Sequence, residues 1–77
     1  MPKLSERQAL ADNIRRLREN RGLTQEEVAQ AAGVTRNAID QYEEGNYIPN
    51  LFSAIAMARM FGTTCEKLIV PANHKED

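Results

Sequence analysis

The stretch QEEVAQAAGVTRNAIDQYEE, residues 25–44, decides the fold. It holds two helical segments separated by Ala32-Gly33-Val34. Thr24 precedes the first and Thr35 the second. Each hydroxyl suits an N-cap, where it accepts from a first-turn amide that has no intrahelical partner. Glu27, three residues after Thr24, completes a capping box. Gly33 permits the positive φ of a tight turn, and Gly45 closes the second segment. Val28, Ala29 and Ala32 form the buried side of the first segment, Ile39 and Tyr42 that of the second. Ala29 is small where the segments touch, and Val34 helps fill the angle between them.

The same signals recur on both sides. Ser5 and Gln8 make a capping box ahead of Leu10, Ile14 and Leu17, an apolar stripe at i, i+4, i+7. Gly22 ends that helix as a left-handed cap. After Gly45, residues 46–49 form a loop. Asn50 caps a fourth helix running to Phe61, with Gly62 after it; Thr64 caps a last one reaching about Val70, and Pro71 stops it. Residues 72–77 are a polar tail, expected to fray. No strand pattern reads through. The expectation is an all-α, five-helix domain over residues 1–71.

Composition sets the limits. The 77 residues are 42% hydrophobic and 27% charged, an ordinary globular balance for one small domain. No apolar run approaches the roughly 20 residues that span a bilayer. No signal-peptide pattern opens the chain, so a cytoplasmic location is expected. The single cysteine, Cys65, leaves no internal disulfide and no cysteine-based zinc site. His74 has no second His or Cys near it, and no nucleophile arrangement or phosphate loop is present. Neither metal, cofactor, small-molecule ligand nor catalysis is expected. The formal net charge is −1. It is unevenly spread: seven basic and five acidic residues lie in 1–36, three and six in 37–77.

A small residue, a glycine and apolar residues at these offsets describe a helix-turn-helix. Here the sequence resembles the phage repressor/Cro family of helix-turn-helix regulators. The resemblance runs from Leu17 to Leu68, LRENRGLTQEEVAQAAGVTRNAIDQYEEGNYIPNLFSAIAMARMFGTTCEKL. It is carried by G-L-T-Q-E-E-V-A, G-V-T, Y-E-E-G, P-N-L and F-G-T-T. It implies a lambda-repressor-like DNA-binding domain that acts as a homodimer on a partly palindromic operator, most simply as a transcriptional repressor. Phage repressors, restriction-system controllers and antitoxin partners share this scaffold.

At roughly 100° per residue, inward Ile39 and Tyr42 turn Asn37, Asp40, Gln41 and Glu44 outward. Arg36 stands at the exposed first turn. In helix-turn-helix docking the start of the second helix reaches base edges, where Arg suits guanine and Asn or Gln suits adenine. The family's base-reading positions fall on Arg36, Asn37 and Gln41. By the same resemblance Gln25 clamps a backbone phosphate, aided by the free amides of its helix start. Asn46 and Tyr47 lie where many relatives carry Lys or Arg and offer only neutral contacts. They and the acidic Asp40 and Glu44 depart from the pattern and predict a shallow salt dependence, each neutralised phosphate contributing about −0.9 to the slope. Arg18 and Glu43 are expected to pair, joining the first helix to the end of the third. Arg15, Arg16 and Arg21 read as a solvated face that lends positive potential at most.

The fourth helix is apolar nearly all round. Leu51, Ala54, Ile55, Ala58 and Phe61 read as its core side, and Phe52, Ala56 and Met60 as a second apolar side. A helix apolar on both sides calls for cover on both. That points to a twofold dimer through Phe52, Ala56 and Met60, with Leu68, Ile69 or Val70. The alternative function is a protein-interaction module, or an antitoxin-type partner, with this face as its docking site.

Overall fold

Each helix after the first begins where a short polar side chain captures a first-turn amide. Thr24 Oγ1 accepts from the Glu27 amide at 3.0 Å, and Glu27 Oε1 accepts from the Thr24 amide at 2.8 Å. Thr35, Asn50 and Thr64 cap the later helices with the first of these bonds, each accepting from the amide three residues on. In the computed structural model, which describes residues 6–70, the elements are α1 (Glu6–Asn20), α2 (Gln25–Ala32), α3 (Arg36–Glu44), α4 (Leu51–Phe61) and α5 (Cys65–Leu68). The Ser5 cap, the Pro71 stop, His74 and the polar tail lie outside the described residues. The final helix ends at Leu68, short of the expected Val70, because the Ile69 and Val70 amides fold back onto the Glu66 and Lys67 carbonyls.

The four longer helices end in one motif. At α2 the Gly33 amide bonds Gln30 O and the Val34 amide bonds Ala29 O, with Gly33 at φ 73°. At α3 the Gly45 amide bonds Tyr42 O and the Asn46 amide bonds Gln41 O, with Gly45 at φ 81°. Only a left-handed residue closes a helix this way, and glycine adopts that conformation without a Cβ penalty.

The core is Leu10, Ile14, Val28, Ala29, Ile39, Tyr42, Met57, Ala58, Phe61 and Leu68. α2 packs on α3 and α4, and α1 lies against α3, α4 and α5. Among the described residues the polar side chains of Asn13, Glu43 and Ser53 are buried with it. Asn13 Nδ2 donates to the Leu68 and Val70 carbonyls, each at 2.7 Å, and so binds α1 to the end of α5. Ser53 Oγ donates to Ala32 O at 3.1 Å, joining α4 to the end of α2.

The face of α4 differs from the expectation. Leu51 is 66% exposed, and Ala54 and Ile55 are only half-buried. The buried face is Ser53, Met57, Ala58 and Phe61. Ser53 follows the Asn50 cap, and its bond to Ala32 turns the start of α4 so that Leu51 points outward. Leu68, placed at a subunit interface by the sequence reading, is 1% exposed and belongs to the core. Met60 packs against that core. Phe52, by contrast, is 82% exposed. Among the described residues no helix is long and apolar enough to cross a membrane, and no group of His, Cys, Asp or Glu could hold a metal ion.

Candidate nucleic-acid interface

α3 carries the candidate surface, and its buried side fixes its setting. Ile39, Tyr42 and Glu43 are buried. On a projection of roughly 100° per residue, Asp40, Glu44, Asn37 and Gln41 then share the opposite arc, and Arg36 lies at its border in the exposed first turn. Arg36 and Asn37 are exposed, and their side chains make no hydrogen bond or ion pair among the described residues. Both sit in the first turn after Thr35, whose hydroxyl accepts from the Ala38 amide at 3.1 Å. Gln41 is half-buried, and its Oε1 accepts from Asn46 Nδ2 at 2.8 Å.

Glu43 anchors this helix from behind. Arg18 Nε donates to its Oε2 at 2.6 Å, and Arg18 Nη2 to its Oε1 at 3.1 Å. Arg18 Nη1 also donates to Leu23 O at 2.9 Å, so one guanidinium ties together α1, the α1–α2 turn and α3. The hydrogen bond to Glu43 raises the Arg18 pKa above its ordinary value, against the opposing pull of burial. Arg15 adds a 3.4 Å contact to Glu43 and a looser 3.9 Å one to Glu44. A planar fork on a carboxylate fixes direction as well as distance. The pair therefore sets the rotation of α3, and with it which side chains stand outward.

Gln25 opens α2, but its amide points sideways. Nε2 donates to Asp40 Oδ1 at 3.3 Å and to Glu43 Oε1 at 3.2 Å. The backbone amides of Gln25 and Glu26, in the first turn of α2, remain as the donors that face an anion there. The hydrogen bonds Gln25–Asp40 and Asn46–Gln41 make the start of α2, the outer arc of α3 and the residue after Gly45 one connected surface. Tyr47 continues it and is largely exposed.

The charges on and near this surface are more compensated than composition suggests. Asp40 accepts from Gln25, and Glu44 lies near Arg15. Nor are Arg15, Arg16 and Arg21 a bare solvated face. Arg16 Nη2 donates to Asn13 Oδ1 at 2.9 Å, and Arg21 Nη2 to Phe61 O at 2.8 Å. Sequence reasoning missed Asn13, Ser53 and the Gln41–Asn46 bond. The last had a signal in the five-residue spacing of two carboxamides across a glycine cap.

Comparison with known proteins is consistent with this geometry. A family model described as helix-turn-helix matches residues 14–68. An uncharacterized HTH-type transcriptional regulator of Methanothermobacter thermautotrophicus is 49% identical over 49 residues, 64% of this chain and 71% of that protein. The crystal structure of a hypothetical transcription factor, NHTF, from Neisseria superposes with a TM-score of 0.80 at 30% identity, covering 94% of this chain and 84% of that one. The P22 c2 repressor, solved with a synthetic operator, gives a TM-score of 0.75 at 23% identity over 78% of this chain and 91% of that one. At that identity the likeness is one of fold.

Proposed function

Because the chain belongs to the helix-turn-helix family, with the fold of phage-repressor-type DNA-binding domains, we propose that it is a transcriptional regulator that reads double-stranded DNA. It acts as a homodimer on a palindromic operator, and its occupancy represses by excluding polymerase. The observation that carries this reading is the arc of α3. Arg36 and Asn37 stand exposed in its first turn, on a helix clamped from behind by buried Ile39, Tyr42 and Glu43. Arg36 is the guanine reader and Asn37 the adenine reader, each pair contributing roughly 1–3 kcal/mol of discrimination. The first-turn amides of α2 and Tyr47 meet phosphates. These neutral contacts give a shallow salt dependence. Twofold pairing of the chain through exposed Phe52, with Ala56, Ile69 and Val70 at its edge, sets two α3 helices about 34 Å apart, one turn of duplex.

Selection from random-sequence duplexes followed by a salt-dependent gel shift tests the reading. A symmetric enriched site is expected. A second reading, a protein-docking module, draws on the exposed run Tyr47, Ile48, Leu51 and Phe52. Failure of the wild-type chain to enrich any duplex would favour it.

A further inference from the structure

The closures of the helices differ in one respect. The motif brings together the residues five apart whose backbones it bonds. In α2 that pair is Ala29 and Val34, both apolar. In α3 it is Gln41 and Asn46, two carboxamides at the edge of the outward arc. The Asn46 amide bonds Gln41 O at 3.0 Å, and Asn46 Nδ2 donates to Gln41 Oε1 at 2.8 Å. Backbone and side chain together close a ring that holds the Gln41 side chain in one orientation.

That orientation has a chemical consequence. A carboxamide accepts at one end and donates at the other. Pairing with adenine uses both ends, the oxygen toward N6–H and the nitrogen toward N7. Here the Gln41 oxygen is engaged by Asn46, and Nε2, with two hydrogens, makes no hydrogen bond among the described residues. An edge carrying two adjacent acceptors is guanine's, at N7 and O6. We propose that Asn46 is a specificity-determining positioning residue: it turns Gln41 into a donor that selects guanine rather than adenine. The proposal rests on the DNA-reading function above. One of the two Asn46 amide hydrogens is thereby spent on Gln41 rather than on a phosphate.

The test is random-duplex selection, with salt-dependent binding to the enriched site, on the wild-type chain, Gln41→Ala, Asn46→Ala and Asn46→Asp. Asn46 is exposed and Gln41 half-buried; circular dichroism checks that each variant folds. Gln41→Ala is expected to lose a guanine preference of roughly fivefold or more at one position of each half-site. Asn46→Ala weakens the preference at that same position and leaves the salt slope unchanged. Asn46→Asp can only accept from Gln41, so it turns the amide over and moves the preference toward a base with an exocyclic amino donor, adenine or cytosine. Wild-type preference for adenine at that position overturns the proposal. So does an Asn46→Ala variant that keeps the guanine preference, or one that loses affinity for the enriched and a scrambled duplex alike, the mark of a lost backbone contact. A wild-type chain that enriches nothing overturns the DNA-reading function itself, and this proposal with it.

Discussion

Replacing Arg18 by Met tests the part of the structure that holds α3 in place. The Glu43 side chain is 1% exposed and that of Arg18 14%. Of the donors on the Glu43 carboxylate, Arg18 supplies the two shortest, at 2.6 and 3.1 Å. Without it the buried charge keeps Gln25 at 3.2 Å and Arg15 at 3.4 Å. Stranding one member of a buried pair costs about 3–5 kcal/mol. Arg15 remains, so the lower end applies, about 3 kcal/mol. A core of this size contributes only about 3–5 kcal/mol in net terms. Arg18→Met alone therefore removes most of the stability. Adding Glu43→Leu takes away the stranded charge, and the double variant should return to within about 1 kcal/mol of the parent. Urea unfolding followed by far-UV circular dichroism reads both. With a slope near 1 kcal/mol per molar urea, the single variant lowers the midpoint by about 3 M. A single-variant shift below about 0.5 M, or a double variant as weak as the sum of the two singles, would refute the assignment of Glu43 as a buried charge that needs Arg18.

Three further outcomes are expected. Asn13→Ala withdraws the amide that meets the Leu68 and Val70 carbonyls, at a cost of about 1–3 kcal/mol; hydrogen exchange should quicken in α5 before α2 or α3. Gly62→Ala displaces the Arg21 guanidinium from the Phe61 carbonyl, whereas Gly33→Ala meets nothing within 4 Å. Both carry the left-handed backbone penalty of about 1–2 kcal/mol, so thermal melting should find Gly62→Ala the less stable of the two. Phe52→Asp leaves the monomer fold intact, since the ring is exposed, and weakens self-association by about tenfold or more; sedimentation equilibrium showing unchanged association would remove Phe52 from the dimer.

The helix boundaries were legible because they rest on local chemistry. Thr24, Thr35, Asn50 and Thr64 cap in the structure where the sequence puts caps, and Gly22, Gly33, Gly45 and Gly62 all take positive φ. The pairing of Arg18 with Glu43 was legible through the family resemblance and the inward projection of Glu43. What was not legible is where the answer depends on contacts distant in sequence. α4 is apolar nearly all round, so hydrophobicity carries little phase. Its rotation is set by Ser53 bonding Ala32, 21 residues away. Asn13 reads as a polar surface residue until α5 brings its carbonyls over it, 55 residues on. Leu68 looked available to a partner for the same reason: α1 and α4 already cover it. At the candidate site, the helical projection and the family resemblance gave Arg36, Asn37 and Gln41 as readers. They gave no sign that Gln25 would turn its amide toward Asp40 and Glu43.

The central claim is that the first turn of α3 reads bases. The most direct measurement is the ratio of affinities for the selected operator and a scrambled duplex, by fluorescence anisotropy at fixed salt, for the wild-type chain and for Arg36→Ala combined with Asn37→Ala. Loss of two base contacts should lower that ratio by roughly 25-fold or more, with the fold unchanged because both side chains are exposed. An undiminished ratio, with affinity for both duplexes reduced alike, would mean that these residues touch only the backbone and that recognition lies elsewhere.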